Sequence, residues 1–243
     1  MKIGFTSTTF KQLSPEKIIP LAVKAGADCI EWSDVHVPAP AAAKELAAQC
    51  EIACSSIGSY YKVGEADAAK WENICQTAVA MGAGFIRVWL GDKGSGQTSE
   101  ADYAALLADA KAMLRAAESH GLAIVAEAHP NTYNDTCETS VKFLRELNEP
   151  AFGTYFQSLY QDMPGDLDRL AQTWPWLRAA HVSFSEVQRN RRFMPRKNDC
   201  VERIVKAMCE KGFSGPILLE FCKNSKESEF LKDMERLRRA ASA

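Results

Sequence analysis

Short apolar runs rich in β-branched and aromatic residues alternate with longer stretches of helical periodicity along the chain, which predicts consecutive βα units with parallel strands. Eight units can be counted, with strands expected at residues 2–6, 28–32, 52–57, 85–90, 123–128, 153–157, 180–184 and 216–221. The punctuation between them suits helices. Ser14 stands as an N-cap before Pro15 and Glu16, and Gly26 follows the last turn. Asp135 with Glu138 three residues on matches a capping box, while Gly82, Gly121 and Gly212 fall where helices should stop. No glycine-rich phosphate turn follows the first strand, so a closed barrel is favoured over an open doubly wound sheet. The expected fold is α/β, a single (β/α)8 barrel, with residues 1–243 as one domain because no linker or low-complexity segment interrupts the pattern.

Composition sharpens this picture. The 243 residues come close to the roughly 250 that one such barrel uses, and 47 % apolar with 25 % charged residues supplies a sizeable core and sets disordered and fibrous classes aside. A net charge of −2 offers no basic face for a polyanion, so no nucleic-acid partner is expected. No run approaches the roughly 20 apolar residues of a membrane span, and Met1 to Thr6 reads as a strand and not as a signal peptide. Eight cysteines are scattered singly, which fits a reducing cytoplasm. Cys50 and Cys54 lie across a helix-to-strand turn and read as buried thiols, not as ligands. A homo-oligomer is compatible with the sequence.

In a barrel of this kind, catalytic side chains project from the carboxyl ends of the strands, so polar residues that end apolar runs are the candidates. Five strands offer one: Glu31, Glu127 with His129, Gln157, His181 with Ser183, and Glu220. Glu127 and Glu220 close almost wholly apolar runs and occupy equivalent places. If both point inward, two carboxylates face one cavity as general base and general acid; capping a helix or pairing with arginine is the other use open to each. Period-two alternation puts His129 on the face of Glu127 and Ser183 on the face of His181. His36, in a loop, is a weaker candidate, and His120 beside Gly121 reads as a partner for a helix C-terminus. The glycine-rich loop 91–96 could cradle an anion, act as a lid or be a plain surface turn. Arg189, Arg191, Arg192, Arg196 and Lys197 follow the seventh strand, where arginine could meet a phosphate or carboxylate. Trp32, Tyr60, Tyr61 and Trp89 could stack on a sugar face or serve packing.

The fragments KIGFT, DCIEWSDVHVP, FIRVWLG, IVAEAHPNTYNDT, GTYFQ, AHVSF and ILLEF, in this order over nearly the whole chain, resemble the xylose isomerase-like TIM-barrel family of sugar phosphate isomerases and epimerases. The resemblance implies a small carbohydrate substrate and proton transfer beside a carbonyl by Glu127 and Glu220. Taken with the strand-end reading, the substrate-binding candidates are Glu31, Tyr60, Trp89, His129 and Arg191. In the ketose 3-epimerases of this family, glutamate, aspartate, histidine and glutamate from strands five to eight hold a divalent metal. That implies Glu127, Gln157, His181 and Glu220 as ligands for Mn, Mg, Co or Zn. Two positions depart: Gln157 stands for aspartate, and the HxH pattern of strand seven is His181-Val182-Ser183, with Ser183 at the ligand position. The site then keeps two anionic ligands, and metal affinity should suffer. Arg191 after Asn190 resembles an Asn-Arg-Arg segment of the epimerases.

Three functions follow as expectations: an isomerase or epimerase, a lyase or dehydratase starting from the same carbanion, and a non-catalytic carbohydrate-binding barrel with a degraded metal site. Product mass separates the first two. Phosphodiester hydrolysis is disfavoured, because four histidines are too few for the metal cluster of endonuclease-like relatives.

Overall fold

The computed structural model describes residues 1–157, 163–187, 193–195 and 199–242. Strands β1 (Lys2–Thr6), β2 (Cys29–Ser33), β3 (Ala53–Lys62), β4 (Phe85–Trp89), β5 (Ala123–Glu127), β6 (Phe152–Gln157) and β7 (Leu177–Val182) are followed by a short hairpin, β8 (Ser185–Val187) with β9 (Phe193–Pro195), and then by β10 (Pro216–Leu219). All but the hairpin are parallel and close into an eight-stranded barrel, with β1 pairing both β2 and β10. Helices α1 (Pro15–Lys24), α2 (Pro40–Ala47), α3 (Ala68–Met81), α4 (Glu100–Ser119), α5 (Cys137–Leu147), α6 (Met163–Thr173), α7 (Cys200–Glu210) and α8 (Glu227–Ser242) follow successive barrel strands. The expected (β/α)8 architecture is the observed one. Among the described residues, no helix is long and apolar enough to cross a membrane.

The helices hold to the barrel through one apolar stripe each. In α7 the buried residues Val201, Ile204, Val205 and Met208 recur at the three- and four-residue spacing of a single helical face. The seam between the first and last units closes on Phe5, Phe10 and Phe230, whose rings meet edge-on at centroid separations of 4.8 to 6.3 Å. Burying such a side chain contributes about 1.5–3 kcal/mol, so this cluster pins α8 against β1. Helix ends obey local rules: Ser99 and Asp102 form a reciprocal capping box on α4, and Gly82 ends α3 at a positive φ of 68°. Asp135 is not the cap expected. The cap of α5 is Thr136, which accepts from the Thr139 N–H at 3.2 Å, while the Asp135 carboxylate accepts from the Ser95 N–H and ties two loops together. That same bond occupies loop 91–96, whose Ser95 amide is no longer free to cradle an anion.

The barrel interior carries the pattern that builds the site. A buried apolar layer of Cys29, Val125, Tyr155, Ala179 and Leu218, with Phe85 packed against it, fills one level. Side chains two residues apart on a strand share a face. Each member of that layer is therefore followed, two residues on, by an inward position nearer the carboxyl ends: Glu31, Glu127, Gln157, His181, Glu220 and Arg87. Strand β7 runs from Leu177 to Val182, against an expected 180–184, so His181 lies within the ladder opposite Gln157 and Leu218 while Ser183 lies beyond it.

Candidate active site

Four ionisable side chains meet in the layer above the apolar one, and each is nearly sealed: Glu31 and Glu127 are 2 % exposed, Arg87 4 % and His181 1 %. Arg87 from β4 bridges the two acids, donating from Nε to Glu31 Oε1 at 3.3 Å and from Nη1 to Glu127 Oε2 at 2.5 Å. His181 from β7 spans the same pair from the other side, with Nδ1 3.1 Å from Glu127 Oε1 and Nε2 3.3 Å from Glu31 Oε1. Glu31 also accepts from the Tyr155 hydroxyl at 2.5 Å and the Ser56 hydroxyl at 2.9 Å, and Glu127 from Trp89 Nε1 at 2.7 Å. Gly58 makes room for the bridge. A Cβ there would lie 2.8 Å from Glu31 Oε1 and 3.1 Å from Arg87 Nη2.

This packing fixes the charges. Burial alone would raise the Glu31 pKa, but the His181 charge, then Arg87 and Tyr155, bring it down to about 2. Burial opposes ionisation of Glu127 likewise, and the Arg87 guanidinium, His181 and Trp89 overcome it and hold the carboxyl well below its usual range. Burial would lower His181, yet the carboxylates of Glu31 and Glu220 and the bond to Glu127 raise it to about 10. The sealed layer thus holds two anions against two cations.

Glu220 is the fifth member and sits differently. It follows the last residue of β10, with its backbone N–H donating to the Val182 carbonyl at 2.8 Å, and its side chain keeps 15 % exposure. Its Oε2 lies 3.9 Å from His181 Nδ1 and accepts from Gln157 Nε2 at 3.1 Å. Burial raises the Glu220 pKa most, His181 draws it down and Glu127 pushes it up again, leaving it at about 7. A third negative charge would unbalance an already neutral cluster, so this carboxyl is poised between its two forms near neutral pH. The next residue, Phe221, holds a left-handed φ of 60°, and its N–H donates to Thr9 Oγ1 at 3.1 Å.

Aromatic residues form the rim. Tyr60 meets Trp89 edge-on at 5.2 Å, His129 stacks on Trp89 at 4.8 Å, and the Arg87 guanidinium lies 5.7 Å from the Tyr60 ring centre and 6.0 Å from that of Trp89. Because β5 ends at Glu127, His129 does not enter the charged layer; its Nδ1 contacts the Pro130 carbonyl at 2.7 Å. Glu31, expected as a substrate contact, lies sealed beneath the layer's surface instead. Ser183 bonds to the backbone of Ser185, donating to its carbonyl at 2.7 Å. His36 is held by Ser7 and the Leu13 carbonyl, and His120 by Glu72, away from this cluster. Cys50 and Cys54 are free thiols that contact backbone carbonyls. Arg189, Asn190, Arg191, Arg192, Arg196 and Lys197 lie outside the described residues.

Arg87, Tyr155 and Ser56 are the members that sequence reasoning missed. A signal existed for the first: Arg87 stands inside the apolar run Phe85-Ile86-Arg87-Val88-Trp89 on the face of Phe85 and Trp89, and a cation there must be paired or expelled.

Among the described residues, Glu127, His181 and Glu220 bring ligand atoms within 4.8 Å of one another, a carboxylate and imidazole grouping of the kind that can hold a metal. Their present partners do not fit one. Both Glu127 oxygens already accept hydrogen bonds, and His181 turns both nitrogens to carboxylates, Nδ1 bonded to Glu127 and Nε2 3.3 Å from Glu31 without a hydrogen bond. A divalent ion bonded to the oxygen that Arg87 holds would lie within about 5 Å of the guanidinium, a repulsion on the order of 6 kcal/mol at an effective dielectric near 20. Gln157 Oε1 and His181 Nε2 are both buried without a hydrogen-bond partner.

The family model described as xylose isomerase-like TIM barrel matches residues 19–240. No curated protein sequence matches the chain. Among solved structures, the chain is similar to a probable 3-DHS dehydratase of Bacillus anthracis, AsbF, involved in petrobactin synthesis, at 18 % identity and a TM-score of 0.80 over 98 % of this chain and 99 % of that one. A D-psicose 3-epimerase in the presence of D-fructose matches at 17 % identity and a TM-score of 0.73, covering 100 % and 97 %. A xylose isomerase-like TIM barrel protein of Mycobacterium smegmatis in complex with magnesium matches at 17 % identity and 0.75, covering 99 % and 97 %. These likenesses establish a shared fold.

Proposed function

The chain belongs to the xylose isomerase-like TIM barrel family, and from that premise we propose that it is a sugar isomerase or epimerase in which Glu220 moves a proton beside the substrate carbonyl. The observation that carries this reading is the placement of Glu220: it is the acid of the cluster that keeps exposure at the mouth, directly above a charge-balanced floor. Its pKa of about 7 supports the role, since a general base works best near the operating pH. The Glu220 carboxylate takes the proton from the carbon next to the carbonyl, and the C–H electrons move into the carbonyl to give an enediolate. The same carboxyl then returns the proton to the former carbonyl carbon, while the hydroxyl proton of the first carbon passes to the former carbonyl oxygen, so that the new carbonyl forms on the first carbon. His181, 3.9 Å from Glu220, and the Gln157 amide beside it are the nearest donors to the negative charge that develops. Gln157 Oε1 offers a substrate hydroxyl the acceptor it needs.

One partly exposed carboxyl suits proton return on the same face, which is isomerisation between adjacent carbons. Epimerisation needs a donor across the substrate, and Glu127, tied by three donors, is a poor one. A lyase shares the first step, and the similarity to a probable dehydratase keeps that outcome in the test.

The test is a screen of aldoses, ketoses and keto-glycosides in deuterium oxide, read by mass spectrometry. The expected result is deuterium incorporation with product of otherwise unchanged mass, reduced by at least ~10² in Glu220→Gln. Loss of water or an alcohol would assign the lyase. Exchange unaffected by Glu220→Gln would remove this residue from the reaction.

A further inference from the structure

We propose that Arg87 takes the place of a divalent ion in this barrel, so that the site is complete without a metal. The proposal rests on geometry. A metal at Glu127 would have to compete with Arg87 and Trp89, which take both lone pairs of Oε2, or with His181, which is bonded to Oε1. The imidazole of His181 is held between two carboxylates, with Nδ1 bonded to Glu127 at 3.1 Å and Nε2 3.3 Å from Glu31 without a hydrogen bond, so an ion would have to enter between His181 and the acids. The positions around them agree: Gln157 brings no charge, and Ser183 is bonded to Ser185.

Arg87 is not an incidental neighbour. Its guanidinium spans acids from β2 and β5, is covered by the rings of Tyr60 and Trp89, and fits the space left by the missing side chain of Gly58. A planar fork with five donors suits this bridging task in a way an ammonium does not. Arg87 is nearly sealed and meets a substrate only through Glu127 and the rim rings, so it is a positioning residue. It supplies at the floor the permanent positive charge that an ion would otherwise bring.

The inference concerns the same site as the proposed isomerisation, but its test is read on binding alone and can fail while that reaction stands. Chelator-treated protein is titrated calorimetrically with manganese and with magnesium. The expected result is no one-to-one site tighter than about 100 µM. A tighter site that disappears in His181→Ala would overturn the proposal; one that survives that substitution lies elsewhere and leaves it standing. In the second arm, Arg87→Met frees Glu127 and should bind manganese at least ~10-fold more tightly than wild type, while Arg87→Lys, which keeps a charge, should not. A merely structural arginine would give no such gain. A folded Arg87→Met protein with unchanged manganese affinity would overturn the proposal, and where that variant does not fold, the wild-type titration decides.

Discussion

Glu127 and Glu220 close apolar strand runs in the same way and lie within reach of the same histidine, at 3.1 and 3.9 Å. Their neighbours set them apart. Strand β5 pairs with β4, which brings Arg87 and Trp89 against Glu127, whereas β10 lies between β1 and β7, and among the described residues His181 and Gln157 reach Glu220. One acid is therefore locked as an anion and the other is left poised, although the local sequence around them is alike. The lesson is that the role of a strand-end acid in a barrel is written on the adjacent strand.

That comparison can be broken at several strengths. The largest effect on stability is expected for Arg87→Met, which leaves Glu31 and Glu127 sharing one cation in a sealed layer; denaturant unfolding should show a loss of about 3–5 kcal/mol. A loss under 1 kcal/mol would mean the bridge is not what holds Glu127. Next comes the pH dependence of Glu220. Its folded pKa of about 7 lies above the roughly 4.3 of an unfolded glutamate, so its contribution to stability is present in full below pH ~4 and lost as pH rises through 7. Glu220→Gln is neutral at every pH. It should match wild type near pH ~4 and exceed it near pH 9 by on the order of 3 kcal/mol, and a constant difference across that range would contradict a raised pKa. The smallest effect is expected for Gly58→Ala, whose methyl would crowd Glu31 and Arg87 and cost about 1–2 kcal/mol in thermal unfolding. The same change at Gly96, where an added Cβ meets nothing within 4 Å, is the control.

Much of the barrel was legible because strand and helix periods are local properties. So were the strand-end acids, since Glu127 and Glu220 each break an apolar run at its end. What the pattern does not carry is which polar residue within a run is buried by partners far away. Arg87 shares a face with Phe85 and Trp89, but the acids that let it be buried there, Glu31 and Glu127, lie 56 and 40 positions away. Tyr155 was hidden for the opposite reason: its ring belongs to the apolar layer, and only its hydroxyl reaches upward to Glu31. Strand register mattered too. With β7 ending at Val182, Ser183 falls outside the ladder and bonds to its own loop, so alternation along an assumed longer strand misplaced it.

The inequality of the two acids is open to direct observation by carbon NMR of protein labelled at the glutamate side-chain carboxyls, with resonances assigned through Glu127→Gln and Glu220→Gln. The resonance lost in Glu220→Gln is expected to titrate near pH 7, and the one lost in Glu127→Gln to keep its ionised position to the acid limit of the folded state. Both resonances titrating together near the ordinary value of about 4.3, or Glu127 being the one that titrates near 7, would contradict the division of labour on which the mechanism rests.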